Sequence, residues 1–216
     1  MDIAILLFDR FTALDAVGPY EVLSRLPGAT VSFVAADPGP KRSDVGSLAL
    51  LAERSLDDLA TPEILLVPGG PGQVAVMDDQ AVLSWLRAAH PTTTWTTSVC
   101  TGSLILGAAG LLAGRRATSH WLALEQLGAL GATPVAERVV VDGKIATAAG
   151  VSAGIDMALE LTARIAGDER AQAVQLAMEY DPRPPFDAGS PTKAPAAVVE
   201  RLRARSRFVL QGSDRD

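Results

Sequence analysis

Four short apolar and β-branched runs recur in the first hundred positions: DIAILLF at 2–8, TVSFVAAD at 30–37, EILLVPGG at 63–70 and TTTWTTSV at 92–99. Each is too short for a core helix and is bounded by turn residues, so each reads as a buried strand. The segments between them carry helical spacing. LDAVGPYEVLSRL (14–26) does so after a Gly18-Pro19 break, with Pro19 suited to a first turn. DDQAVLSWLRAAH (78–90) is amphipathic with an acidic first turn, and TGSLILGAAGLL (101–112) is a small-residue-rich buried helix. Strands alternating with helices pair in parallel through right-handed crossovers. The expected fold class is therefore α/β: a doubly wound, flavodoxin-like, mostly parallel sheet with helices on both faces.

The remaining pattern fills in around that sheet. PGPKRSD reads as a turn and GSLALLAERSL (46–56) as a short hairpin or edge excursion. RRATSHW (115–121) is extended and leads into the helix LALEQLGAL. ERVVVDGKIATAAG (137–150) is a hairpin turning at Asp142-Gly143. Helices follow at 151–165 and 168–180, then a Pro-rich arm, DPRPPFDAGSPTKAP (181–195), and a terminal helix. A length of 216 residues suits one large domain: the α/β body over 1–180, with the arm and terminal helix over 181–216 as part of it.

Composition narrows the function. A net charge of −6 argues against a sequence-independent grip on nucleic acid. The basic residues Arg201, Arg203, Arg205 and Arg207 fall at every second position and would wrap around a helix rather than form a stripe. A single cysteine makes no internal disulfide. The start, MDIAILLFDR, lacks the basic region and cleavage site of a signal peptide, and no apolar run approaches the roughly 20 residues of a bilayer span. A soluble cytoplasmic protein with no membrane or nucleic-acid partner is expected. Paired Cys/His spacing is missing, so neither a metal nor a cofactor is expected.

In open α/β sheets ligands bind beyond the carboxyl ends of the strands. Three such ends stand out: the first leads to Asp15, the third long run to Pro68-Gly69-Gly70-Pro71-Gly72, and the fourth to Cys100. If these strands are neighbours, an acid, a glycine-rich backbone loop and a thiol share one crevice. Taken singly, each has a plainer reading: a buried structural cysteine, an ordinary turn, and an N-cap for the helix that follows. At a strand-to-helix turn, however, unpaired N–H groups favour a thiolate and lower its pKa. A carboxyl among Leu14, Ala16 and Val17, beside a thiolate, should hold its proton longer than usual. Glycine amides can approach a ligand or a developing negative charge. Glu21 reads as a carboxylate at the surface or just behind the site. His90 reads as a solvated helix end, and His120 as a residue supporting the site from behind.

LLVPGGPG, TTSVCTGSLILGAAGLLAGRRATSHW and AAGVSAGIDMALEL together resemble the ThiJ/PfpI superfamily, cysteine-dependent relatives of class I glutamine amidotransferases. LDAVGPYEVL, SVCTGSL, GRRATSHW and EYDPRPPFDAGSPTKAP are similar, more narrowly, to the branch whose members hydrate organic isocyanides. That resemblance implies Cys100 as nucleophile, Asp15 as the essential acid, Thr101 as a residue needed for activity, and Gly69 and Gly70 as backbone at the substrate. It implies a homodimer with its sites near the interface, an isocyanide as the small-molecule partner, and an N-substituted formamide made through a cysteine thioimidate. Peptidase members carry His directly after the cysteine; Thr101 stands there in this chain, so a Cys-His peptidase is not implied. The parkinsonism-associated branch carries Glu where this chain has Asp15.

Two other readings keep the fold. One is a deglycase or glyoxalase acting on 2-oxoaldehydes. The other is a non-catalytic redox- or ligand-sensing domain. A regulator of the AraC type would need a further pair of helix-turn-helix units, on the order of a hundred residues.

Overall fold

The computed structural model describes residues 1–206. Arg207 and the rest of the expected terminal segment lie outside the described residues. Among the described residues eleven strands and eight α-helices follow one another. The strands are β1 (Asp2–Leu6), β2 (Thr30–Ala35), β3 (Gly39–Arg42), β4 (Ala49–Ala52), β5 (Arg54–Ser55), β6 (Ile64–Val67), β7 (Trp95–Val99), β8 (Arg116–Ala117), β9 (Thr133–Pro134), β10 (Val139–Asp142) and β11 (Ile145–Ala148). The helices are α1 (Ala13–Leu23), α2 (Gln73–Asp78), α3 (Gln80–Ala89), α4 (Gly102–Ala108), α5 (Leu124–Ala129), α6 (Ala153–Ala166), α7 (Asp168–Ala177) and α8 (Ala196–Ala204).

The main sheet has seven strands in the order β10-β11-β7-β6-β1-β2-β5, parallel except for β10. β6 and β11 are buried throughout, which is why their sequences are continuous rather than alternating. From β1 the chain winds outward through β2 to β5. From β6 it winds the other way through β7 to β11. The winding direction therefore switches between β1 and β6, the place where such sheets form a crevice. Right-handed crossovers put the two sets of helices on opposite faces: α1, α6 and α7 pack together, and α2, α3 and α5 pack around or beside α4.

Several expectations needed revision. Gly18 and Pro19 do not break α1, which begins earlier and runs through both. They form its contact with α6. A methyl group on Gly18 would lie 3.0 Å from Ile155, and one on Gly154 would lie 3.0 Å from Pro19. PGPK is not a turn; β3 pairs antiparallel with β4, so the hairpin starts seven residues before the expected Gly46. The helix expected at 78–90 is α3, which begins at Gln80 with Asp79 as its cap accepting bonds from the Ala81 and Val82 amides, and a further helix, α2, precedes it. The helix expected to reach 112 ends at Ala108, followed by turn at Gly110, whose φ is +80°. His90 is not a solvated end: its Nδ1 lies 2.8 Å from the Thr96 hydroxyl. The arm at 181–195 is largely exposed, and α8 beyond it buries Val199 and sets Arg203 over the Trp121 ring. Among the described residues no helix is long and apolar enough to cross a membrane.

Candidate active site

The switch point brings the three strand ends together. β7 ends at Val99, and Cys100 turns the chain sharply with φ +58° before Thr101 and α4. A left-handed conformation in a residue with a Cβ is unusual and persists only where its surroundings hold it. Here four groups do so. The Cys100 amide donates to the Ala148 and Ala149 carbonyls, each at 3.0 Å. Its carbonyl accepts the Ser103 hydroxyl at 3.2 Å and the Ser119 hydroxyl at 3.0 Å. Gly102 completes the turn, since any Cβ there would run into the Val67 carbonyl at the end of β6.

The glycine pair after β6 links the other two partners. The Gly69 amide donates to Asp15 Oδ2 at 2.9 Å, and the Gly70 amide donates to Thr101 Oγ1 at 3.0 Å. A Cβ on Gly69 would sit 2.5 Å from the Thr101 nitrogen and 3.0 Å from Asp15 Oδ2. Gly70 has φ +133° and presses on the backbone of residues 10–12. Both amides are thus engaged by side chains of the chain itself. Asp15 does not cap α1; Thr12 holds the cap position and Asp15 lies in the first turn, fully buried.

Asp15 and Cys100 act directly on one another. Burial pushes the Asp15 carboxyl from its ordinary 3.8 up to about 7, against the lowering influence of the Gly69 amide and of Cys100. Oδ1 is buried with no hydrogen-bond partner among the described residues. The thiol departs from expectation. Burial, and then the charge of Asp15, push it up, outweighing the Val151 and Thr101 amides that favour the thiolate. The helix end alone does not decide the thiol's state. Above about pH 7, where the carboxyl has titrated, the pair carries one negative charge between them. With the carboxyl ionised the sulfur keeps its proton. With the proton moved to the carboxyl, the opposing charge is gone and the two amides stabilise the thiolate. Only 5% of Cys100 is exposed, so a reacting atom must reach it through a narrow opening.

His120 Nδ1 accepts the Leu122 amide at 3.3 Å, capping a short turn at Trp121–Ala123, and its ring rests against Gly150. Sequence reading missed Val151, Ser103 and Ser119. Val151 had a signal: AAGVSAG at 148–154 repeats the small-residue strand-to-helix turn of SVCTGS, and Val151 too has a positive φ of +37°. Ser119 had none, because nothing local marks a hydroxyl that bonds a carbonyl nineteen positions away. Among the described residues no three His, Cys, Asp or Glu side chains gather as a metal site.

Residues 1–164 match the model of the DJ-1/PfpI family. The chain is 46% identical to isonitrile hydratase from Pseudomonas putida over 206 residues, covering 95% of this chain and 90% of that protein. A crystal structure of a ThiJ/PfpI family protein from Pseudomonas syringae superposes with a TM-score of 0.91 at 40% identity, over 94% of this chain and 84% of that one. Drosophila melanogaster DJ-1beta shares the fold, with a TM-score of 0.75 at 21% identity over 82% of this chain and 97% of that one.

Proposed function

The chain belongs to the DJ-1/PfpI family, and from that membership we propose that it hydrates organic isocyanides to N-substituted formamides. The observation that carries this reading is the buried carboxyl–thiol pair, Asp15 with Cys100, in which Asp15 Oδ1 has no partner among the described residues. An isocyanide, R–N≡C, presents a slender terminal carbon that can reach a nearly buried sulfur and needs both a nucleophile and a proton.

In this mechanism the Cys100 proton passes to Asp15 and the thiolate adds to the terminal carbon. Asp15 returns the proton to that carbon, giving the thioimidate R–N=CH–S–Cys100. A carboxyl that titrates near neutrality suits both halves of such an exchange. The carboxylate then takes a proton from water as its oxygen attacks the same carbon. The second proton of that water moves to nitrogen as the C–S bond breaks, releasing R–NH–CHO and the thiolate. Thr101 and the Gly69 and Gly70 backbone hold the acid and line the substrate position, and the Val151 and Thr101 amides support the sulfur's charge. His120 supports the turn behind the site.

The same reading makes the body and the terminal arm one domain, working in the cytoplasm as a homodimer on a small-molecule isocyanide. Mass spectrometry of the protein mixed with p-nitrophenyl isocyanide tests the chemistry. The formamide should accumulate, with a transient adduct at position 100. No turnover of this isocyanide or of an alkyl isocyanide, alongside consumption of methylglyoxal, would overturn it in favour of a 2-oxoaldehyde enzyme.

A further inference from the structure

We propose that Asp44 is a positioning residue for this chemistry, anchoring through the Thr12 hydroxyl the turn that carries Asp15 and placing a negative charge beside it. The inference rests on the hydration reading above for its role in turnover. Thr12 occupies the cap position of α1 with the extended backbone a capping threonine adopts, φ −81° and ψ 118°, yet its side chain makes no cap bond. The hydroxyl donates instead to Asp44 Oδ2 at 3.0 Å, out on the β3–β4 hairpin. Asp44 is itself fixed: its amide donates to the Phe11 carbonyl at 2.8 Å, and its Oδ1 accepts the Val45 amide at 2.9 Å. The neighbouring Ser43 bridges to Phe11, and the Arg10 amide donates to the Arg42 carbonyl at 2.7 Å.

The hairpin is therefore stitched to residues 10–12. From the other side, the Thr12 amide donates to the Gly69 carbonyl at 2.8 Å. The Thr12 carbonyl accepts the Asp15 amide at 3.0 Å, and Gly69 returns its own amide to the Asp15 carboxylate. Thr12 thus touches the hairpin, the glycine pair and the acid. Of the titratable groups on the elements packed about Asp15, Cys100 and Asp44 act on its proton, and Asp44 helps to keep that proton on.

The hydrogen bond and the charge separate experimentally. D44N keeps an acceptor for Thr12 and removes the charge; T12V keeps the charge and removes the bond; D44E restores both. The readouts are the rate of Cys100 alkylation by iodoacetamide across pH, in dilute buffer and in 1 M salt, and the pH profile of isocyanide turnover. D44N should lower the alkylation midpoint by about 0.3–0.5 pH unit, the size expected of one exposed charge acting across water. The shift should close in 1 M salt, where the screening length is only about 3 Å. T12V should leave the midpoint in place and lower kcat roughly tenfold, as a displaced acid does, and D44E should match the wild type. An unmoved midpoint in D44N, or the same response from D44N and T12V, overturns the inference whether or not isocyanide is consumed. A moved midpoint in a protein whose wild type is inert towards isocyanides overturns the hydration reading and leaves the role of Asp44 beside Asp15 standing.

Discussion

The two rims of the sheet treat their polar groups in opposite ways. At the rim where β7 and β11 begin, Lys144 Nζ donates to the carbonyls of His90, Pro91 and Thr93, and the Thr96 hydroxyl meets both Thr93 and His90. Burial, and then the charges of Lys144 and Arg115, push the His90 pKa down, which keeps the ring neutral. Lys144 and the threonines there find acceptors, and no residue with a side chain between 138 and 145 or between 90 and 97 has a positive φ. At the rim where β1, β6 and β7 end, Cys100 and Val151 sit at positive φ and a buried carboxyl oxygen has no partner among the described residues. Satisfied polar clusters hold a fold together; strain and an unmet hydrogen bond, persisting in a packed interior, point to a candidate site.

Substitutions at the two rims sharpen that contrast. The largest effects belong to the carboxyl–thiol pair: C100A should abolish isocyanide turnover, and D15N should lower it by ~10²–10⁴-fold, the usual worth of a placed acid. Both should keep the wild-type circular dichroism spectrum, and full activity in either would erase the distinction between the rims. G69A comes next. Its methyl group would meet the Thr101 nitrogen and Asp15 Oδ2, so kcat should fall, with the crystal structure showing the carboxyl displaced from the thiol.

The third effect is on stability. The folded Asp15 carboxyl keeps its proton up to about pH 7, whereas the unfolded one releases it near 3.8. The folded state therefore binds the extra proton between those values. The stability this contributes is full below pH 3.8 and is lost as pH rises to 7, with a ceiling of about 4 kcal/mol. D15N removes that loss, so urea unfolding at pH 8 should find it more stable than the wild type. A less stable D15N would mean that the carboxylate is well accommodated after all. The smallest effect is at the other rim. K144M should cost about 1.5–3 kcal/mol, the range for a hydrogen-bonded charge, and leave kcat unchanged.

How much of this was legible in the sequence follows the range of the forces involved. The strands could be read from continuous apolar runs, and the meeting of Asp15, Gly69, Gly70 and Cys100 from where those runs stop. Pro19 misled because local rules treat proline as a helix boundary, while its actual setting is a packing contact with Gly154 on a helix more than a hundred residues later. PGPK misled for a similar reason: turn-forming residues were drawn into a ladder by the partner strand at Ala49–Ala52. The direction of the Cys100 shift depends on burial and on a charge brought from position 15, and neither is a local property. Val151 and Ser119 reach Cys100 only through the tertiary fold.

Gly18 on α1 and Gly154 on α6 each leave the hollow that the other helix fills. One of these helices bears the acid, and the other begins just past the Val151 amide that faces the sulfur. A substitution that widens their spacing would move proton source and anion support together. Evolution of this site towards bulkier substrates therefore has little freedom where α1 meets α6.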